Sequence, residues 1–311
     1  MPPTSLVQIH DPPAQPPAGL PWQERLERLK AWLRSYRRVV VAYSGGVDSS
    51  VVLRVAREVL DEGAIGAIGR SDSYPERELG LALEQAASFG ARVVVVTTGE
   101  LSDPGFRSNP TDRCYHCKRE LYRELSDLAR RVGAEAILDG TIADDARDWR
   151  PGRQAAQEME VRSPLAELGF AKLDVRAVAA HYGLASRDKP ASPCLASRIP
   201  YGSEITQEKL SMIEQAEELL RSLGFTELRV RHHGEIARIE VPVGQMCRLL
   251  EPGIREAAIA GLRALGFRFV TFDLEGFRSG SLNAAAGIGV AGIGVAGPPA
   301  QRPSSDLVKE S

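Results

Sequence analysis

Seven residues, Ser44-Gly45-Gly46-Val47-Asp48-Ser49-Ser50, follow the apolar run Val39-Val40-Val41-Ala42-Tyr43 and precede a helical pattern. At a strand-to-helix junction this composition makes a phosphate cradle. Gly45 and Gly46 let the backbone close on a ligand with its N–H groups turned inward, and Ser44, Ser49 and Ser50 add hydroxyl donors at the positive end of the following helix. A Walker A loop would end in Gly-Lys-Ser/Thr, and no such lysine is present. A second group of reactive side chains lies in Arg113-Cys114-Tyr115-His116-Cys117-Lys118. Cys-x-x-Cys presents two thiolates to one metal or forms a redox pair. A zinc staple needs two more ligands, whereas an iron–sulfur cluster on three cysteines leaves one iron open to an outside ligand. The third candidate is Cys194, among the proline and small residues of Ser192-Pro193-Cys194-Leu195-Ala196-Ser197-Arg198, which read as a loop. Cys247 reads instead as a small hydrophobe packed in a helix.

Two further segments carry polar chemistry. Asp139-Gly140-Thr141-Ile142-Ala143-Asp144-Asp145 closes a predicted strand, so Gly140 and Thr141 can face a nucleotide. Asp144 or Asp145 would help to hold a divalent cation or orient the loop, or would cap a helix; both readings stay open. Arg229-Val230-Arg231 has the period-two spacing that aims two guanidiniums at one face of a strand. Such a pair binds phosphate or carboxylate in fork geometry, unless the two are solvated edge charges; convergence of Arg198 on the same place would favour binding. The segments Arg147–Gly152 and Val161–Leu165 are noted with them.

The elements that must position these residues alternate. After a helix over Glu24–Tyr36, strands are predicted at 38–43, 64–69, 91–97 and 134–139, separated by helices at about 49–61, 76–89 and 118–132. This is the rhythm of an α/β fold with a doubly wound parallel sheet, whose ligands sit beyond the carboxyl ends of the strands. After about residue 190 a helix (206–223), two strands (227–230 and 236–241) about His233-Gly234, a helix (254–265) and a last strand (268–272) indicate a smaller α+β domain. The expected organisation is a proline-rich disordered extension over 1–21, an α/β domain carrying the phosphate loop over 22–191, a smaller α+β domain over 192–283 and a low-complexity tail over 284–311, where Gly-Ile-Gly-Val-Ala-Gly occurs twice.

Composition narrows the classes. With 311 residues and 43% hydrophobic content, the chain can bury a sizeable core. No apolar run approaches the roughly 20 residues that span a bilayer, so no membrane partner is expected. Residues 1–22 lack a charged-then-apolar signal, so the protein is expected in the cytoplasm. Four cysteines make no disulfide framework at this length. A net charge of −2 argues against a dominant nucleic-acid surface.

The heptapeptide resembles the loop of the PP-loop ATP pyrophosphatases, which holds pyrophosphate while ATP is cleaved between its α and β phosphates to leave an adenylylated substrate. A narrower resemblance is carried by RCYHCK, DGTIADDARDWRPG, SPLAEL, DKPASPCLASRIPYG and DLEGFRSGSLN, in this order across roughly residues 22–283. Together they look like the LarE family of ATP-dependent sulfur transferases. That resemblance implies sulfuration of pyridinium-3,5-biscarboxylic acid mononucleotide for the nickel-pincer nucleotide cofactor, with a carboxylate first activated by ATP and then converted to a thiocarboxylate.

Carried over residue by residue, the resemblance implies that Ser44, Gly45, Gly46, Val47, Asp48, Ser49 and Ser50, with Gly140, Thr141 and Asp144, hold the nucleotide. Ser197, Arg198, Arg229 and Arg231 would take the substrate phosphate or carboxylates, Glu217 or Glu240 a divalent cation, and Asp48 and Cys194 would be catalytic. The implied cofactors are ATP, Mg2+ and a [4Fe-4S] cluster on Cys114, Cys117 and Cys194. In single-cysteine members the residue matching Cys194 gives up its own sulfur; three cysteines favour the cluster version, because a carried sulfide can be replenished. A sulfide donor and a homo-oligomer are implied as partners. The rival readings are a PP-loop tRNA thiolase, dependent on RNA; an amide-forming PP-loop ligase, indifferent to the cysteines; and a zinc-stapled nucleotide-binding scaffold without turnover.

Overall fold

The computed structural model describes residues 19–147, 151–190 and 193–278. The first half runs α1 (Trp22–Leu33), β1 (Val39–Ala42), α2 (Val47–Leu60), β2 (Ala64–Arg70), α3 (Glu76–Ser88), β3 (Arg92–Thr97), α4 (Pro104–Arg107), α5 (Arg113–Val132), β4 (Ala136–Leu138), α6 (Gly152–Glu158), α7 (Pro164–Glu167) and α8 (Lys172–His181). Its four strands form one parallel sheet in the order β3-β2-β1-β4. The alternation of β1 explains its central place. Val39 and Val41 point into the core that includes α1, α2 and α8, while Val40 points into the core on the other face, with Tyr122 and Leu125 of α5 and Ala155 of α6. The doubly wound parallel sheet expected from the sequence is therefore present.

Helix α5 starts at Arg113, earlier than the predicted 118, and the Cys-x-x-Cys forms its first turn. No apolar periodicity marks that turn. A tertiary contact holds it: the Arg113 guanidinium donates to Asn109 Oδ1 at 2.8 Å and stacks over the Tyr201 ring.

The second half comprises α9 (Gln207–Ser222), β5 (Arg229–His233), β6 (Ile236–Glu240), α10 (Pro252–Ala264) and β7 (Phe269–Phe272). Strands β5 and β6 are antiparallel about Gly234, whose φ of 63° suits glycine. Strand β7 joins β6 in parallel after α10, and Leu220, Phe225, Val230, Ile239, Leu262 and Phe267 fill the core of this α+β unit. Cys247 departs from expectation: it is exposed, in a 3-10 segment over Val243–Leu250. The three-residue period of that segment turns Met246 and Leu249 toward the core and leaves Cys247 outside. The expected disordered stretches, 1–21 and 284–311, lie outside the described residues except for 19–21. Among the described residues no helix is long and apolar enough to cross a membrane.

A third apolar cluster joins Phe106 of α4 to Leu195, Ala196 and Ile199 and to Leu210 and Ile213 of α9, with Cys117 and Cys194 packed against it. Asn109 locks this seam. Fully buried and left-handed at φ 53°, it donates from Nδ2 to the carbonyls of Ile199 (3.2 Å), Pro200 (2.8 Å) and Ser203 (3.2 Å) while accepting from Arg113. Replacing Asn109 by alanine strips these partners and keeps the unfavourable φ, and is expected to cost about 3 kcal/mol or more. The N109G variant loses the same bonds without the backbone strain and should unfold with roughly 1 kcal/mol less loss, as read by denaturant titration of both variants.

Candidate active site

The loop after β1 is shaped from within. Tyr43 N–H donates to Ala67 O at 2.9 Å, continuing the sheet by one residue. Gly45 follows at φ 66°, where a Cβ would lie 2.6 Å from Ala82 Cβ, so both conformation and space require glycine. Gly46 is extended (φ −74°, ψ 158°) and caps α2 without a side chain, which leaves the first N–H groups of the helix available to a ligand. The serine hydroxyls bond inside the loop. Ser50 Oγ donates to Gly46 O at 2.7 Å and accepts from Gln85 Nε2 at 2.6 Å, while Ser49 Oγ accepts from Ser44 N–H at 3.2 Å. Val47 is buried, so the loop presents its backbone, Ser44 and Asp48 outward.

Behind the loop lies the end of β4. A Cβ on Gly140 would come within 2.6 Å of Ser49 N, so the backbone of Gly140 lies directly against the first turn of α2. Buried Asp139 organises the turn: it accepts from Thr141 N–H (3.1 Å), Thr141 Oγ1 (2.8 Å) and Ser163 Oγ (2.7 Å). Thr141 is thereby tied to the turn itself. Asp144 accepts the backbone N–H of Lys172 at 2.9 Å, and the Lys172 ammonium reaches both Asp48 oxygens, at 2.7 and 2.8 Å. The structure thus brings Asp48, Asp144, Gly140 and the loop together and adds Lys172, which sequence reading missed. No local pattern announces Lys172, because its partner lies 124 residues away. Beyond the carboxyl ends of β2 and β3 a cavity of about 540 Å3 opens, lined by Ser71, Asp72, Tyr74, Thr98 and residues of α9. Tyr74 connects it to the loop, donating from its hydroxyl to Ser44 O at 3.0 Å.

Two of the three motif cysteines, Cys117 and Cys194, pack against the seam, and Cys114 lies exposed on the same helical turn as Cys117. Cys114 and Cys117 come from α5 and Cys194 from the loop before the 3-10 turn Leu195–Arg198. Burial first, then the negative charges of Glu100 and Cys194, push the Cys117 thiol well above its ordinary value; Cys114 acts in the same direction and Lys118 against it. Burial also raises Tyr201, which senses both Cys114 and Cys194. Thiols are the donors that a metal–sulfur group takes. Among the described residues no three His, Cys, Asp or Glu side chains are arranged around a single metal ion.

Buried ion pairs hold the arginines. Arg198, 1% exposed, donates from Nε and a terminal nitrogen to the two Glu217 oxygens at 2.8 and 3.0 Å. Its other terminal nitrogen donates to Pro193 O (2.6 Å), Cys194 O (3.1 Å) and Ser197 Oγ (3.0 Å). Arg198, expected to meet substrate, has its guanidinium turned inward here, where it holds the Cys194 loop. Arg231 has the same form, with Glu240 at 3.0 and 2.7 Å and Ser197 O at 2.8 Å. Glu217 also accepts from Arg221 (3.1 Å) and from Val230 N–H (3.2 Å), and Glu240 lies 3.2 Å from Arg238. Both glutamates, expected to hold a cation, are anchors of arginines here. Burial opposes the charge of Glu217, yet Arg198, Arg229 and Arg221 bring its carboxyl below the ordinary range. Arg229 is half-buried, over the Phe277 ring, and burial together with the neighbouring Arg198, Arg231 and Arg221 pushes it down to about 10 despite Glu217. Residues 148–150 and 192 lie outside the described residues.

The Arg198–Glu217 pair is a direct test of this arrangement. Removing one partner leaves a buried charge uncompensated, so R198M and E217Q should each lose about 3–5 kcal/mol in denaturant unfolding. The double variant should lose less than the sum of the two.

No family model matches the chain. An uncharacterised protein of Synechocystis is 44% identical over 261 residues, covering 84% of this chain and 97% of its own length. The pyridinium-3,5-bisthiocarboxylic acid mononucleotide synthase of Lactiplantibacillus plantarum is 41% identical over 256 residues, 82% of this chain and 92% of that protein. A tRNA-specific 2-thiouridylase of Xanthobacter autotrophicus is 31% identical over 199 residues, but spans only 50% of this chain and 49% of its own. The thiouridylase match reaches over half the chain, whereas the match to the synthase runs nearly the whole length of that protein. The chain therefore belongs to the LarE family of PP-loop, ATP-dependent sulfurtransferases.

Proposed function

We propose that the protein adenylylates a carboxylate of pyridinium-3,5-biscarboxylic acid mononucleotide, releasing pyrophosphate, and then inserts sulfur to give the thiocarboxylate used for the nickel-pincer cofactor. The observation that carries this reading is the hydrogen bond from Arg231 to Ser197 O, next to Arg198 on Cys194 O, which ties the arginine strand to the third cysteine. A site for an anionic substrate and a sulfur residue are thereby built on one framework. The proposed substrate brings a phosphate and two carboxylates, and these would offset the crowding of positive charge around Arg229.

Each part of the site has a task in this reading. The N–H groups at the start of α2 hold the β and γ phosphates while a substrate carboxylate oxygen attacks the α phosphorus. Mixed-anhydride formation turns a poor electrophile into one with AMP as leaving group. Mg2+ would sit at Asp48, a carboxylate at the loop mouth that already attracts a cation in this structure, and would offset charge on the departing pyrophosphate. Cys114, Cys117 and Cys194 would hold the [4Fe-4S] cluster, which supplies a replaceable sulfide when bound. Arg229 orients the substrate with Ser197, and Arg198 and Arg231, each held by a buried glutamate, set the position of the Cys194 loop. No general base is needed, because sulfide and thiolate are already nucleophilic. The protein would act in the cytoplasm as a homo-oligomer served by a sulfide donor, as the family implies.

With ATP and the pyridinium substrate the enzyme should form AMP and pyrophosphate without RNA; absence of AMP would overturn the reading. The C114S/C117S variant should retain pyrophosphate release and lose repeated sulfur insertion. Anaerobic iron and sulfide analysis, with a whole-protein mass after one turnover, separates cluster from sacrifice: loss of one sulfur from Cys194 with no iron present would establish the sacrificial version. Truncation of Arg229 to alanine removes a charge-assisted contact and should raise KM for the pyridinium substrate roughly 10- to 100-fold, leaving KM for ATP nearly unchanged.

A further inference from the structure

Lys172 is the first residue of α8, and its backbone is fixed on several sides. Its N–H donates to Asp144, and the preceding Ala171 N–H donates to Asp174 Oδ2 at 2.9 Å. Asp174 in turn pairs with Arg25 at 3.3 Å, and Val175, Val178 and Ala179 are buried in the core beside α2. What can move is the four-carbon side chain. Its ammonium engages both oxygens of one carboxylate, Asp48, at the opening of the phosphate loop, and the two side chains keep 39% and 29% exposure. One cation centred on two carboxylate oxygens occupies the place a divalent ion would take. Like charges cannot share that place, so a metal ion arriving with a nucleotide must displace the ammonium. Because the backbone stays anchored, the displaced ammonium remains at the loop mouth, where the phosphates lie.

We propose that Lys172 is a stand-in cation for Asp48 that passes to the nucleotide phosphates when the metal–nucleotide complex binds, and so becomes a positioning residue for adenylation. This inference rests on the reading of the loop as an ATP site. In the step it serves, a substrate carboxylate oxygen forms a bond to the α phosphorus. The bond from that phosphorus to the bridging oxygen breaks, and its electron pair leaves with pyrophosphate. Lys172 offsets negative charge at the phosphates and transfers no proton. The exchange also explains why Asp144 bonds to the lysine backbone and not to its ammonium: the helix start is held while the charged end is left to change partners. Until nucleotide arrives, the pair keeps the Asp48 carboxylate neutralised and aimed at the loop.

The test compares wild type with K172M and K172Q, using Mn2+ as the probe ion and α,β-methylene-ATP as the nucleotide. Without nucleotide, both variants should bind Mn2+ about two- to fivefold more tightly by electron paramagnetic resonance titration, since the competing ammonium is gone. With Mn2+ present, both should bind α,β-methylene-ATP roughly tenfold more weakly, because a charged phosphate contact is lost. K172R should recover most of the nucleotide affinity. A purely structural lysine would weaken both affinities together or neither, and either pattern in folded K172M or K172Q overturns the proposal. These measurements need no pyridinium substrate, so they stand apart from the AMP-formation experiment that tests the reaction itself.

Discussion

One buried carboxylate sets the relation between the two halves of the site. Glu217 takes Arg198 with both oxygens, and Arg198 spends its remaining terminal nitrogen on the backbone of Pro193 and Cys194. The same carboxylate accepts from Val230 N–H, between Arg229 and Arg231. Helix α9, the cysteine loop and strand β5 are therefore referred to one point. Well-packed apolar side chains can often replace a buried ion pair without loss of stability, so what the pair contributes here is orientation. Arg231 and Glu240 repeat the device one step along, through Ser197 O.

This arrangement concentrates positive charge. Arg229, pushed down first by burial, also senses the guanidiniums of Arg198, Arg231 and Arg221. Glu217 takes Arg198 and Arg221, and Glu240 takes Arg231. Glu217 and Glu240, buried and hydrogen-bonded, hold the cluster together, with Arg229 half-buried at its side. At the other end, the phosphate loop offers N–H groups and a helix terminus, and its carboxylate is covered by Lys172. The proposed site would thus join two anion-binding regions of different kinds, one of backbone dipoles and one of guanidiniums, with Cys117 and Cys194 at the seam.

Much of this was legible in the sequence where the signal is local. The four parallel strands stood out because β-branched runs alternate with helical periods, and the phosphate loop because glycine at a strand-to-helix turn has a conformational reason. The first turn of α5 was not legible. Its Cys-x-x-Cys carries no apolar period, and its helical state depends on side-chain contacts of Arg113 with Asn109, four residues upstream, and with Tyr201, far along the chain. The roles of Glu217 and Glu240 were hidden for a related reason. A glutamate on a helix or strand looks like surface charge until the fold brings an arginine to it, 19 residues away for Arg198 and 9 for Arg231. Period two placed Arg229 and Arg231 on one face, but nothing in that spacing tells which guanidinium is turned inward to an anchor.

The restraint on Cys194 differs from that on its neighbours and bears on how sulfur can move. Its carbonyl accepts from Arg198, and the next N–H, of Leu195, donates to Ser73 O at 2.8 Å. Ser73 is itself held by buried Glu100, which also accepts from Thr98. The backbone on both sides of the thiol is therefore pinned to the second half through Arg198 and to the parallel sheet through Ser73. Cys114 and Cys117, by contrast, share the rigid first turn of α5, one exposed and one half-buried. A loop held this firmly fixes where the Cys194 sulfur can be and leaves the side-chain torsion as its freedom. In either version of the proposed sulfur source, a loop held this firmly would leave the approach to the activated substrate, with the protein's geometry at Cys194 fixed.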